Sequence, residues 1–108
     1  MKNKFLSQLG LAMRAGKLVT GDEGVMKAIR SGEAKLVIIA EDASANTLKK
    51  FQDKCQFYNV KLISMGSKEE LGNSIGKEMR VILGVLDGGF AQMLLKCQVN
   101  TAEVKSID

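Results

Sequence analysis

Two uninterrupted apolar runs dominate the hydrophobic pattern of the chain. Residues 36–40 (Leu-Val-Ile-Ile-Ala) and residues 81–86 (Val-Ile-Leu-Gly-Val-Leu) contain no polar side chain and are rich in β-branched residues. A strand that is covered on both faces has this pattern, whereas a strand with one wet face alternates apolar and polar positions. The two runs therefore predict central strands that need helices packed above and below them.

Apolar residues at helical spacing predict five helices around these strands. The clearest stripe is formed by Leu48, Phe51, Cys55 and Tyr58, which are spaced by three, four and three residues. The other positions predicted to face the core are Phe5, Leu6, Leu9, Ala12 and Met13 in a first helix, Val25, Met26, Ala28 and Ile29 in a second, Leu71 and Ile75 in a short fourth, and Phe90, Met93, Leu94 and Cys97 in a last. Each stripe covers one side of its helix, so each helix is expected to pack on the sheet.

Short polar motifs predict where the helices begin and end. The second helix is expected to begin at Gly21, because Thr20 and Glu23 match the Ser/Thr-x-x-Glu capping box. The other predicted signals are a second capping box at Ser67 and Glu70, N-caps at Ser44 or Asn46 and at Asp87, and left-handed glycines that end helices at Gly16, Gly32 and Gly76.

The alternation of strands and helices predicts an α/β domain with helices on both faces of the sheet. Two further short strands are expected, at residues 17–19 on a sheet edge and at residues 60–64. Some connections are too short for helical crossovers, so we expect a mixed sheet of about four strands. The pattern predicts one domain over residues 1–98, followed by a polar, frayed tail at residues 99–108.

The beginning of the second helix is the first candidate for a binding site. The amides of Gly21, Asp22 and Glu23 have no partner within a helix, so they can bind a phosphate or another acceptor. Gly24 has no side chain to keep a ligand or another backbone away. The simpler interpretation is that the local polar residues only cap the helix.

Composition limits the classes of partner. The chain has 108 residues, enough for one domain, and its formal net charge of +4 favours polyanionic partners. No apolar run approaches the roughly 20 residues needed to cross a bilayer. The N-terminal residues lack the apolar core and cleavage site of a signal peptide. We therefore expect a folded, cytoplasmic protein that does not bind a membrane.

The chain offers little for catalysis or metal binding. It contains no histidine, so the commonest general base and the commonest metal ligand are missing. Residues 16–24 match neither the Walker spacing nor the dinucleotide fingerprint. Cys55 and Cys97 both lie in apolar helical stripes, which favours buried free thiols over a disulfide. We expect no catalytic residues, no cofactor and no metal, and therefore no enzyme.

Several separated motifs resemble the kink-turn-binding ribosomal-protein superfamily, which includes large-subunit ribosomal proteins of archaea and eukaryotes. They occur in the same order over about residues 5–97, and the branch that resembles this chain best is the bacterial YlxQ type. The matching segments are residues 9–17, 20–21, 27–32 and 34–44 for the superfamily, and residues 53–55, 71–78 and 89–91 for the branch.

The resemblance implies a three-layer α/β/α sandwich and an RNA-binding role, as in a ribonucleoprotein. In the superfamily, a Gly-x-Asn-Glu-x-x-Lys motif at a helix N-terminus grips tandem sheared G·A pairs of a bent RNA. Gly21 and Lys27 match this motif, but Glu23 stands in place of the asparagine and Gly24 in place of the glutamate. Moving a carboxylate by one helical position turns it by about 100° around the helix axis, so Glu23 cannot simply make the contact of the missing glutamate. Ser31 also replaces a frequent arginine. These departures weigh against high-affinity kink-turn recognition but not against a broader RNA-binding role.

The resemblance also implies a second RNA-facing loop around residues 75–78. Its superfamily counterparts present aliphatic side chains to a flipped-out base, whereas Lys77 and Glu78 make this loop more polar. Each candidate has an ordinary alternative, since single lysines are most often solvated and Ile75 fits a core position. The residues to which we assign RNA contact are Gly21, Asp22, Glu23, Gly24, Lys27, Arg30, Lys68, Ile75, Gly76 and Lys77.

Three hypotheses follow. The first is a cytoplasmic, monomeric protein that binds structured RNA, with ribosomal RNA or another noncoding RNA as the partner and DNA not expected. The second is a protein-interaction adaptor on the same scaffold that has lost RNA binding, which the substitutions at Glu23 and Gly24 would explain. The third is an enzyme that holds a small phosphorylated ligand at the helix N-terminus, which the missing histidine and phosphate-loop motifs disfavour.

Overall fold

The computed structural model describes the backbone of residues 2–107 and the side chains of residues 3–97. Helices and strands alternate along this part of the chain. They are α1 (Lys2–Arg14), β1 (Leu18–Thr20), α2 (Asp22–Ser31), β2 (Leu36–Ile39), α3 (Ala45–Phe57), β3 (Leu62–Ser64), α4 (Lys68–Ser74), β4 (Ile82–Val85) and α5 (Gly88–Ile107). This confirms the predicted α/β class.

The described strands form one mixed four-stranded sheet in the order β1-β4-β2-β3. Strand β4 is antiparallel to both β1 and β2, whereas β2 and β3 are parallel. Every residue of β2 and β4 is buried, as the two apolar runs predict. Strand β1 lies at an edge of the sheet, also as predicted.

The two faces of the sheet carry separate parts of the core. On one face, Leu36 and Ile38 pack with side chains of α1, α4 and α5. On the other face, Val37 and Ile39 pack with side chains of α2 and α3. This arrangement confirms the three-layer α/β/α sandwich, because alternate strand residues face opposite helix layers.

The beginnings of α3 and α4 agree with the local motifs. Ser44 caps α3 by accepting a hydrogen bond from the Thr47 amide. Ser67 and Glu70 form a complete capping box at α4, with distances of 3.1 Å to the Ser67 hydroxyl and 2.9 Å to the Glu70 carboxylate. These motifs predict the helix starts correctly because each cap depends only on residues that are close in sequence.

The predicted capping box at α2 is wrong. Thr20 is the last residue of β1 and pairs with Leu83, so it does not cap the helix. The N-cap is Gly21, whose φ of 88° and ψ of 154° lie outside the regions open to other residues, and α2 begins at Asp22. No side chain caps this helix. Sheet pairing thus overrides the local sequence signal at this end of α2.

Two residues predicted to face the core are exposed. Tyr58 is 38% exposed because it follows the last residue of α3, where the helical period ends, and its ring packs edge-on against Phe57. Met93 is exposed because α5 buries Ala91, Leu94 and Cys97, which lie on the neighbouring side of the helix. Helix α5 runs to Ile107, and the frayed tail at residues 99–108 stays a prediction.

Cys55 and Cys97 are both buried, and neither belongs to a disulfide. Cys55 belongs to the core beneath α3, whereas Cys97 belongs to the core on the opposite face of the sheet. Burial raises the pKa of the Cys55 thiol from 9.0 to about 11. The two thiols are therefore packing groups, as their apolar stripes predict.

Candidate nucleic-acid interface

One end of the sheet brings the two predicted binding segments together. Strand β1 ends at Thr20 beside Leu83, and β2 ends at Ile39 beside Ile82, where β4 begins. The Gly21 amide donates a hydrogen bond to the Ile82 carbonyl at 3.3 Å. The start of α2 and the segment of residues 75–81 that enters β4 therefore meet at the same sheet end.

The start of α2 offers fewer free amides than expected. The sequence predicts three free donors, at Gly21, Asp22 and Glu23, but the Gly21 amide donates to the Ile82 carbonyl. Asp22 and Glu23 are exposed in the first turn of the helix, and no side chain caps the backbone amides at this end. Their carboxylates thus stand beside the positive end of the helix dipole, which stabilises them there.

Gly24 lies where α2 closely approaches the edge strand β1. A Cβ atom at this position would lie 2.7 Å from Cγ2 of Val19 on β1. The missing side chain therefore lets α2 pack closely on the edge strand. The backbone of Gly24 still lies along the groove described below.

Replacing Gly21 by alanine is expected to destabilise the protein by about 1–3 kcal/mol, because its backbone conformation is essentially restricted to glycine. Nothing lies within 4 Å of the added Cβ atom, so the cost comes from the backbone and not from a clash. Urea unfolding followed by circular dichroism measures the change. A free energy of unfolding equal to that of the wild type would show that α2 can begin without this conformation.

A groove of about 650 Å³ runs between α2 and α3 from the start of α2. It is lined by Asp22, Glu23, Gly24, Met26, Lys27, Arg30, Lys50 and Lys54. Lys27 and Arg30, both predicted RNA contacts, lie on its α2 side. Lys50 forms a salt bridge of 3.0 Å with Asp22, which ties α3 to the start of α2.

Sequence reasoning missed Lys50 and Lys54. They are one helical turn apart on α3, and each directly precedes a buried residue, Phe51 or Cys55. This spacing places them on one flank of the helix. The local pattern does not say which neighbouring helix that flank faces, so the groove was invisible from the sequence.

The loop of residues 76–80 is fastened onto α4. The Lys77 amide donates to the Gly72 carbonyl at 2.9 Å, and the Arg80 amide donates to the Lys68 carbonyl at 3.0 Å. A Cβ atom at Gly72 would overlap the carbonyl of Glu78. The loop can follow this path because position 72 has no side chain.

Most of this loop is open to solvent, but one predicted contact is not. Gly76 is left-handed with a φ of 73°, and it and Lys77 are exposed. Ile75 is only 7% exposed and packs in the core with Leu71, so its assignment to an unstacked base is withdrawn. Met79, which is 63% exposed, is the apolar side chain that this loop displays.

Lys68 is held near the same end by its main chain. Its amide donates to a carboxylate oxygen of Asp42 at 2.8 Å, which joins the start of α4 to the segment between β2 and α3. The side chain of Lys68 is partly exposed. The structure thus anchors the backbone of this residue and leaves its ammonium group available.

Known proteins of similar sequence identify the family of this chain. Residues 3–95 match the ribosomal protein L7Ae/L30e/S12e/Gadd45 family. The chain belongs to this family. A Bacillus subtilis protein named RNA-binding protein YlxQ is 53% identical over 87 residues, which cover 81% of this chain and 87% of that protein. The large ribosomal subunit protein eL30B of Schizosaccharomyces pombe is 35% identical and covers 82% of this chain and 77% of its own length.

Two solved structures have the same fold as this chain. A Bacillus halodurans C protein of unknown function superimposes with a TM-score of 0.84 at 46% identity, covering 86% of this chain and 94% of its own. The Giardia lamblia 15.5kD RNA binding protein superimposes with a TM-score of 0.71 at 20% identity, covering 84% of this chain and 78% of its own. The second likeness concerns the fold alone.

The described part of the chain contains neither a candidate membrane span nor a candidate metal site. No helix there is long and apolar enough to span a membrane. Histidine, cysteine, aspartate and glutamate side chains form no group of three or more there that could hold a metal ion.

Proposed function

We propose that this protein binds structured RNA through the sheet end where the start of α2 meets the loop of residues 76–80. The observation that carries the proposal is this convergence, made by the hydrogen bond from Gly21 to Ile82 and by the loop fastened onto α4. It gathers Lys27, Lys68 and Lys77 from separate elements around one end of the molecule. The RNA-binding and ribosomal names of the relatives support the same function.

In this proposal the protein recognises RNA by contacts to the phosphate backbone of the RNA and by contacts to its irregular regions. The major groove of duplex RNA is too deep and narrow for side chains, so specific recognition uses loops, bulges and non-standard pairs. Lys27, Lys68 and Lys77 bind phosphates or a guanine edge, whereas Asp22 and Glu23 accept hydrogen bonds from guanine N–H groups. Met79 replaces Ile75 as the apolar contact for an unstacked base.

The proposed partner is ribosomal or other noncoding RNA, and high-affinity kink-turn recognition is not part of the proposal. Glu23 points about 100° away from the position of a glutamate at residue 24. A glutamate at residue 24 would also require Val19 to move, because its Cβ atom would lie 2.7 Å from Cγ2 of Val19. We propose that the protein acts as a cytoplasmic monomer and that it is not an enzyme.

Filter binding tests the proposal with a ribosomal RNA fragment, a kink-turn RNA and a plain duplex, each over a series of salt concentrations. Binding of structured RNA is expected to be tighter than that of the duplex and to weaken as salt rises, because phosphate contacts release counterions. Absence of binding to all three RNAs at low salt would contradict the proposal.

A protein-interaction adaptor without RNA binding is the second candidate, favoured by the two carboxylates at the start of α2. Replacing Glu23 by asparagine and Gly24 by glutamate, together with Val19→Ala to make room, distinguishes the candidates. If the scaffold is otherwise competent, this variant gains kink-turn affinity. An unchanged affinity, with wild-type RNA binding absent, would favour the adaptor.

A further inference from the structure

We propose that the groove between α2 and α3 binds the phosphate backbone of an RNA segment that continues from the α2 start, with Lys50 and Lys54 forming its α3 wall. This inference rests on the proposed RNA-binding function and extends its site onto a helix that the sequence did not implicate. It assigns a binding role to Lys50 and Lys54. It also gives the bound RNA a direction, from the sheet end along α2.

Each of the two walls of the groove carries a pair of cations. On α2, Lys27 and Arg30 are three residues apart, and on α3, Lys50 and Lys54 are four residues apart. Side chains at these spacings lie on one face of a helix with about 5–6 Å between their Cβ atoms. Each wall therefore presents two positive charges about one helical turn apart, which suits a chain of phosphates.

The charges of the groove are available to a ligand. In the part of the chain whose side chains are described, Lys27, Arg30 and Lys54 form no salt bridge, and Lys50 pairs with Asp22. Both partners of the Lys50–Asp22 pair are about half exposed, with relative side-chain exposures of 48% and 54%. Exposed pairs of this kind hold their partners weakly, so a phosphate can take the place of Asp22.

The exposure of the groove to solvent favours a long polyanion over a small phosphorylated ligand. The cations on its walls are exposed or partly exposed, whereas sites for small molecules bury most of their ligand. Asp22 and Glu23 stand at one end of the groove, and the cations extend from there along both helices. An RNA strand whose guanine contacts Asp22 and Glu23 therefore places its next phosphates against these cations.

The test compares two double variants by filter binding with the structured RNA that the wild type binds. Lys50→Ala/Lys54→Ala removes the α3 wall, and Lys49→Ala/Lys61→Ala removes the same charge from exposed positions outside the groove. The first variant is expected to bind about tenfold more weakly, with the slope of log K against log salt shallower by about 1.4–1.8, the value for two lost phosphate contacts. The second is expected to retain the wild-type slope.

The variants also separate this inference from the proposed function. Wild-type protein that binds none of the RNAs would overturn both. A Lys27→Ala variant that weakens binding, together with Lys50→Ala/Lys54→Ala indistinguishable from the Lys49→Ala/Lys61→Ala control, would overturn the groove and leave the function standing. Polyglutamate that binds the wild type as tightly as RNA, and loses binding in Lys50→Ala/Lys54→Ala, would overturn RNA as the occupant.

Folding is checked on the same proteins. Their thermal unfolding midpoints are expected to agree within about 2 °C, because exposed and partly exposed lysines contribute little to stability. If the alanine variant unfolds, Lys50→Gln/Lys54→Gln keeps most of each side-chain stem and removes the charge. A glutamine variant that is folded and binds RNA like the wild type would overturn the proposal.

Discussion

Replacing Lys27 and Lys77 together by alanine is expected to weaken binding to structured RNA about 100-fold. Lys27 lies in the middle of α2 and Lys77 in the loop of residues 76–80, so their loss removes one cation from each of the two elements of the proposed site. A hydrogen bond from a charged group contributes about 1.5–3 kcal/mol, and two such contacts account for the expected loss. Filter binding at several salt concentrations measures both the affinity and the slope.

The matched control for this variant is Lys35→Ala/Lys61→Ala. These residues are exposed and immediately precede β2 and β3, at the opposite end of the sheet. The control changes the net charge by the same amount, so it is expected to weaken binding by no more than about threefold through the general field of the protein. Equal losses in the two variants would mean that net charge alone, and not a site at the α2 end, governs binding.

Replacing Gly72 by alanine is expected to destabilise the protein by about 3 kcal/mol, since overpacking of this kind typically costs about 1–3 kcal/mol and backbone must move here. The added Cβ atom would overlap the carbonyl of Glu78, and it would lie 3.0 Å from the Cα atom of Met79. The loop of residues 76–80 must then leave α4. The midpoint of thermal unfolding is expected to fall by roughly 10 °C or more.

Gly88→Ala is the control for this second variant. Gly88 begins α5, and nothing lies within 4 Å of a Cβ atom built on it. Alanine at such a position is expected to stabilise the protein by about 0.4–1 kcal/mol, because it restricts the unfolded chain. If Gly72→Ala unfolds at the same temperature as Gly88→Ala, the close contact between α4 and the loop is not a constraint on the fold.

The central strands and two of the helix starts could be predicted from the sequence because their signals are local. Burial on both faces leaves a continuous apolar run in β2 and β4, and the caps at Ser44 and Ser67 depend on residues three positions away. Thr20 carries the same local signal, yet its pairing with Leu83 commits it to the sheet. Where the sequence assigns a residue to both a helix cap and a strand, its pairing in the sheet decides which element it joins.

The candidate site was predictable only in part. The basic residues of α2 could be named from the sequence and from the superfamily resemblance. The stripe position of Ile75 already indicated the core, and its burial shows that this indication was the better guide. Gly24 faces Val19, and Lys50 reaches Asp22 across 28 residues of sequence. Both contacts depend on how separate elements pack, which no local pattern encodes.

Amide chemical shifts of the isotope-labelled protein, followed by nuclear magnetic resonance during titration with structured RNA, test the proposed interface most directly. We expect the largest changes at residues 21–30 and 76–80, with smaller changes at Lys50 and Lys54. Changes confined to the opposite sheet end, around Lys35 and Lys61, with the α2 start unaffected, would contradict the account.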